Sequence, residues 1–146
     1  MNRFGSARLM TGMLLIALVA AGCLTANAAQ YEDYRGYRIH YTTFSSMIIP
    51  PEVAAMHNIV RAENRVVLNV SVRQGDAPTP ADVQGSVTNL LNQRFELEFQ
   101  EVREQDAVYY LATHLADDDD ILRFELNVAP ESTGEPLRIA FLRRYD

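Results

Sequence analysis

The sequence predicts an all-β protein: an antiparallel β-sandwich of the immunoglobulin or fibronectin kind, with about seven strands and one short helix. Three observations carry this reading. The stretch Arg65–Val72 sorts by a period of two, with Val66, Leu68, Val70 and Val72 on one side and Val67, Asn69 and Ser71 on the other. That is the pattern of a strand with one face on a core and the other mostly in water. Turn-forming residues recur along the chain at roughly ten-residue intervals, as sandwiches require. A single helix is expected, near residues 51–57. A closed barrel is the alternative arrangement of the same strands.

The domain is expected to span residues 29–146, behind a leader at 1–28. Arg3 and Arg8 precede an apolar run from Leu9 to Val19, and small residues lead to Ala26-Asn27-Ala28. A basic start, a short apolar stretch and an A-x-A site together specify a secretory signal peptide. The apolar run falls short of the ~20 residues of a spanning helix. Cys23, the only cysteine, follows Ala20-Ala21-Gly22, which looks like the acylation box of bacterial lipoproteins. That box usually has Leu where Ala20 stands, and the A-x-A site competes with it. A soluble exported protein is therefore expected, with lipid anchorage through Cys23 as the alternative. A lone cysteine allows no internal disulfide.

Charge excludes some partners. Every one of the 13 basic residues is Arg, against 19 acidic residues. Loss of the leader takes Arg3 and Arg8, and the balance moves from −6 to −8. So acidic a chain is a poor nucleic-acid binder and has no reason to seek anionic lipid. Membrane contact is expected only if Cys23 is acylated. No oligomeric state is readable.

The elements follow in order. Gln30–Gly36 is polar and aromatic and reads as an ordered lead-in. Tyr37–Thr42 alternates with Tyr37, Ile39 and Tyr41 on one face and is the first strand, with His40 on the wetter side. Phe44–Asn64 is the least regular part. There Met47-Ile48-Ile49 precedes Pro50-Pro51, and the second proline suits the first helical position. Glu52 near the helix start favours its positive end. A short helix needs packing to persist. It is expected to plug one end of the sandwich or, on the sharper reading, to present Met47, Ile48, Ile49 and Met56 as an exposed apolar patch to a partner.

After the central strand, residues 74–80 make a turn-rich connector. Val83–Leu91 is a strand in which Gly85 marks a bulge or a close approach. Asn92-Gln93 turns it into Phe95–Gln100, with Phe95, Leu97 and Phe99 facing in. Val108–Leu115 is apolar on both faces. Leu122, Phe124, Leu126 and Val128 alternate in the next strand, and Leu137, Ile139 and Phe141 complete the core after a turn at 131–136.

Chemistry is sparsely marked. Asp117–Asp120 is the only concentrated charge, and carboxylates are what calcium takes as ligands. Consecutive residues cannot all turn inward, however, so a solvated loop is expected. His40, His57 and His114 share no metal-ligand spacing. A metal site would have to bring His57 and His114 together with Asp117 and Asp119. No catalytic motif and no phosphate loop is present. Outward Glu96 and Glu98 solvate a strand face, and Asn69-Val70-Ser71 matches a glycosylation sequon that sits inside a strand. No enzyme activity and no cofactor is expected.

Five segments carry a family resemblance. They are Tyr37-Arg38-Ile39-His40-Tyr41, Ile49-Pro50-Pro51-Glu52-Val53-Ala54, Asn64–Val72, Thr88-Asn89-Leu90-Leu91 and Phe95-Glu96-Leu97-Glu98-Phe99. Together they resemble a domain-of-unknown-function family of small exported proteins of Gram-negative bacteria. The resemblance covers the mature chain and implies a periplasmic β-rich domain; it implies no activity, cofactor or catalytic residue. A non-catalytic interaction module of the cell envelope, meeting another envelope protein, is the expected function. The rival is a periplasmic binder of a small ligand or metal.

Overall fold

The computed structural model describes residues 30–131 and 133–145. The expected leader and Cys23 lie outside the described residues. Ten strands form, and each pairs antiparallel with its neighbours. They are β1 (Gln30–Tyr34), β2 (Tyr37–Ser45), β3 (Arg65–Gln74), β4 (Ala77–Pro78), β5 (Ala81–Thr88), β6 (Arg94–Glu96), β7 (Gln100–Glu104), β8 (Ala107–Leu115), β9 (Ile121–Pro130) and β10 (Leu137–Arg144). A 3-10 turn at Ser46–Ile48 and the helix α1 (Pro51–Met56) separate β2 from β3.

The larger sheet runs β1-β2-β3-β8-β7, with β4 also on β3; the smaller runs β10-β9-β5-β6. The two sheets stack as a sandwich. Ile39, Leu68, Val70 and Val72 from the larger sheet meet Val87, Phe124, Leu126 and Ile139 from the smaller in one core. The chain changes sheet after β4, after β6 and after β8. Among the described residues no helix is long and apolar enough to cross a membrane.

The Arg65–Val72 strand lies at the centre of the larger sheet, between β2 and β8. Its second face is not all wet, however. Val67 is fully buried, because α1 lies across the outer face of the larger sheet. Ala54 and Ile59 pack on Val67 there, flanked by Phe44, Ile49 and Leu111. The helix thus covers a sheet face and does not plug an end of the sandwich. The same cover explains why β8 is apolar on both sides: Val108 and Tyr110 belong to the main core, while Leu111 faces α1.

Three differences from the expected strands have local causes. The lead-in is a strand, β1, turned back on β2 through Arg35 and Gly36, both at positive φ. That is the twist a two-residue hairpin needs. Residues 95–100 do not form one strand. β6 ends at Glu96, Leu97 donates its N–H to the Gly85 carbonyl at 2.9 Å, and the chain crosses to the larger sheet as its edge strand β7. Leu97 and Phe99 pack on the core as expected. Phe95, opposite the buried Val87, sits at the sandwich rim and is half-exposed.

Gly85 is the close approach its position suggested. A Cβ there would lie 2.7 Å from Leu126 Cδ2 and 2.8 Å from the Glu125 carbonyl oxygen.

Candidate functional site

The region around α1 concentrates exposed apolar side chains on a framed surface. Ser46 fixes its entrance: the hydroxyl donates to the Ala62 carbonyl at 2.9 Å and accepts the Ala62 N–H at 3.0 Å. Ser45 caps the 3-10 turn by accepting the Met47 N–H at 3.2 Å. Pro51 then starts the helix, and Asn58 at positive φ closes it. Arg61 reaches back to the Met47 carbonyl at 3.0 Å. The two ends of the strap from Ser45 to Asn64 are therefore tied to each other, Ser46 to Ala62 and Met47 to Arg61.

Of the four residues picked for a partner surface, three point outward: Met47 is 42% exposed, Ile48 70% and Met56 76%. Ile49 instead tucks into the small cluster beneath the helix. Val53 and Val60 are exposed beside them, and no period in so irregular a stretch marked either.

Between α1 and the β7–β8 side of the sheet runs a groove of about 170 Å³. Phe44, Val53, Ile59, Val102 and Leu111 give it apolar walls, and His57, Asn69, Glu104 and Tyr109 add polar groups. Asn69 Oδ1 is closed off from water without a hydrogen-bond partner. A larger cleft of about 490 Å³ lies around Phe44, Met47, Glu63, Arg143 and Arg144 and mixes charges of both signs.

The candidate metal ligands are not brought together. His57 lines the groove outside the larger sheet. His114 pairs with the core residue Val66 and faces inward, its ring against Phe95 with centroids 5.0 Å apart. The sheet itself separates the two imidazoles. Burial holds the His114 pKa below its ordinary value, while Asp120 and Asp117 pull it the other way.

The acidic run divides. Asp117, Asp118 and Asp119 are exposed, but Asp120 is buried and accepts the Leu90 N–H at 3.0 Å. One member of the run is thus structural, which a loop wholly in solvent does not capture. Among the described residues no group of three or more His, Cys, Asp or Glu side chains is placed to hold a metal ion.

Two stacked antiparallel sheets, one with a helical strap across its outer face, define the class: a small β-sandwich domain. The chain belongs to DUF4426, a family described as a domain of unknown function, which matches residues 31–145. Among solved structures it is similar to a DUF4426 family protein from Pseudomonas aeruginosa, at 27% identity and a TM-score of 0.72, over 80% of this chain and 94% of that one. The fold is also like that of FetP from uropathogenic Escherichia coli. A copper-bound FetP variant gives a TM-score of 0.58 at 12% identity, over 81% of this chain and 95% of that one. FetP as isolated after recombinant expression in the E. coli periplasm gives 0.56 at 12% identity, over 81% and 93%. No curated protein matches the chain.

Proposed function

We propose that this protein is a non-catalytic interaction module of the bacterial cell envelope, working in the periplasm and meeting another envelope protein through the surface around α1. The observation that carries the reading is the set of exposed apolar side chains on that strap: Met47, Ile48, Val53, Met56 and Val60. Contiguous exposed apolar surface is costly in water and marks contact sites. The strap that holds these side chains is pinned by Ser46 and by the cluster around Val67, so little order has to be gained on binding. The periplasmic setting is supported by the leader-like residues 1–28 and by the likeness to FetP, isolated from periplasmic expression.

A metal-binding reading draws on the copper-bound FetP variant. Nothing in the donor set of the described residues answers to it, since His57 and His114 lie on opposite faces of one sheet.

The test is the double substitution Ile48→Asp and Met56→Asp. Both side chains are exposed, so the variant is expected to keep its stability within about 0.5 kcal/mol of the parent while failing to capture the envelope protein that the parent is expected to capture from cell extract. Retention of that protein by the folded variant would contradict the proposal.

A further inference from the structure

We propose that the groove between α1 and the β7–β8 side of the larger sheet is a binding site for a compact apolar amine: one ring or a short branched chain carrying a protonated nitrogen. This goes beyond the interaction reading, since it concerns a recess beside the helix; of the projecting side chains only Val53 also lines it.

Size sets the first limit. The groove holds about 170 Å³, and an apolar cavity of about 150 Å³ accommodates benzene. One ring with a short arm fits it. The walls set the second: Phe44, Val53, Val102 and Leu111 offer aliphatic and aromatic surface, which favours an apolar body.

Electrostatics choose the head group. Among the described residues Glu104 is the one carboxylate lining the groove, and no Lys or Arg lines it. Asn69, on the groove floor between Thr42 and Leu111, has its Oδ1 withdrawn from water and unpartnered. Such an atom calls for an explanation, and a missing hydrogen-bond donor is one. With a small swing of its carboxamide toward the groove, Asn69 would accept an N–H. An anion would meet Glu104 with no cation to balance it. A hydrocarbon would leave the Asn69 oxygen unpaired. An alkylammonium answers both.

The test is a titration of the mature protein, followed by amide NMR, with 2-phenylethylamine, 2-phenylethanol and phenylacetate. The three share a ring on a two-carbon arm and differ in the charge at its end. The amine is expected to give saturable shifts centred on Val53, Asn69, Val102 and Leu111. Its affinity is expected to exceed that of the acid by about tenfold, the size of one charge-assisted hydrogen bond. Glu104→Gln should weaken the amine by roughly threefold to tenfold and leave the alcohol unchanged. Glu104 is exposed, so this variant folds. Absence of saturation by about 10 mM amine, shifts centred elsewhere, or an acid that binds as well as the amine would each overturn the proposal.

Discussion

The Asp120 carboxylate accepts the backbone N–H of Leu90 at 3.0 Å, joining the end of the acidic run to the tip of the β5–β6 hairpin. Asp120 also donates its own N–H to the Asp117 carbonyl at 3.2 Å, and its carbonyl takes the Tyr145 N–H at 2.8 Å. Within the hairpin, Asn89 Oδ1 accepts the N–H groups of Leu91 and Gln93 at 3.0 and 2.9 Å. One buried carboxylate thus braces a hairpin from the far end of another sheet crossing. Asp120→Ala is expected to lower stability by about 2 kcal/mol, the size of one hydrogen bond to a charged acceptor. Asp118→Ala should change it by no more than about 0.5 kcal/mol. Urea unfolding of the two variants checks the contrast.

Gly85 has no room for a methyl group. Its missing Cβ faces a backbone carbonyl at 2.8 Å, which cannot move aside as a flexible side chain would. Gly85→Ala is expected to cost about 1–3 kcal/mol through overpacking and local separation of β5 from β9. The same denaturant measurement reads it, and a stability unchanged or raised would contradict the close approach.

Two histidines are expected to make stability fall on mild acidification. Burial lowers the pKa of His114 below 6.5, against the opposing charges of Asp120 and Asp117. Burial also lowers that of His40, with Arg38 and Arg73 acting in the same direction and Asp33 against them. Each imidazole takes its proton more readily in the unfolded chain than in the folded one. Protonation therefore favours unfolding, and stability present above about pH 6.5 is lost as the pH falls through that value toward the lower folded pKa. The urea midpoint should drop between pH 7.5 and pH 5.5, and drop less in the His40→Gln, His114→Gln double variant.

The cover that α1 gives the larger sheet depends on Val67 and Leu111. Val67→Ala is expected to cost about 1–3 kcal/mol, as for a truncated core aliphatic. It should also loosen the strap, raising hydrogen exchange at the amides that its packing protects, those of Ala54 and Ile59.

Much of this fold was legible in residue order. The strands whose inward and outward residues alternate cleanly, β2, β3, β9 and β10, were readable from Tyr37, Val66, Leu122 and Leu137 onward. Gly85 announced its own crowding. What escaped has physical reasons. β1 is an exposed edge whose polar residues show no alternation, and its hairpin turns on Arg35-Gly36, not on the Asn-Gly or Asp-Gly pairs that signal such turns. β7 carries one buried side chain, Val102, which is too little periodicity to see. Val67 looked outward because nothing local says that a helix, contributed by residues 51–56, will lie over it; the second apolar face of 108–115 called for a cover without saying which segment supplies it.

The candidate site was half legible. Met47, Ile48 and Met56 stood out as apolar residues in an irregular stretch, and they are exposed. The groove below was not readable, because Asn69, Glu104 and Tyr109 come from three strands whose register only the folded sheet defines. The division of Asp117–Asp120 into three solvated carboxylates and one structural one was invisible for the same reason: the Leu90 amide that binds Asp120 lies thirty residues away.

The central claim, that the strap around α1 meets another envelope protein, is tested most directly in the intact periplasm. A photo-crosslinking amino acid is placed at Ile48 or Met56, and at Asn127 or Arg138 on the exposed outer face of the smaller sheet for comparison. The account predicts one discrete, reproducible adduct from Ile48 and Met56, absent from Asn127 and Arg138 and lost when the neighbouring Val53 is changed to Asp. Equal labelling at all four positions, or none at the strap, would contradict it.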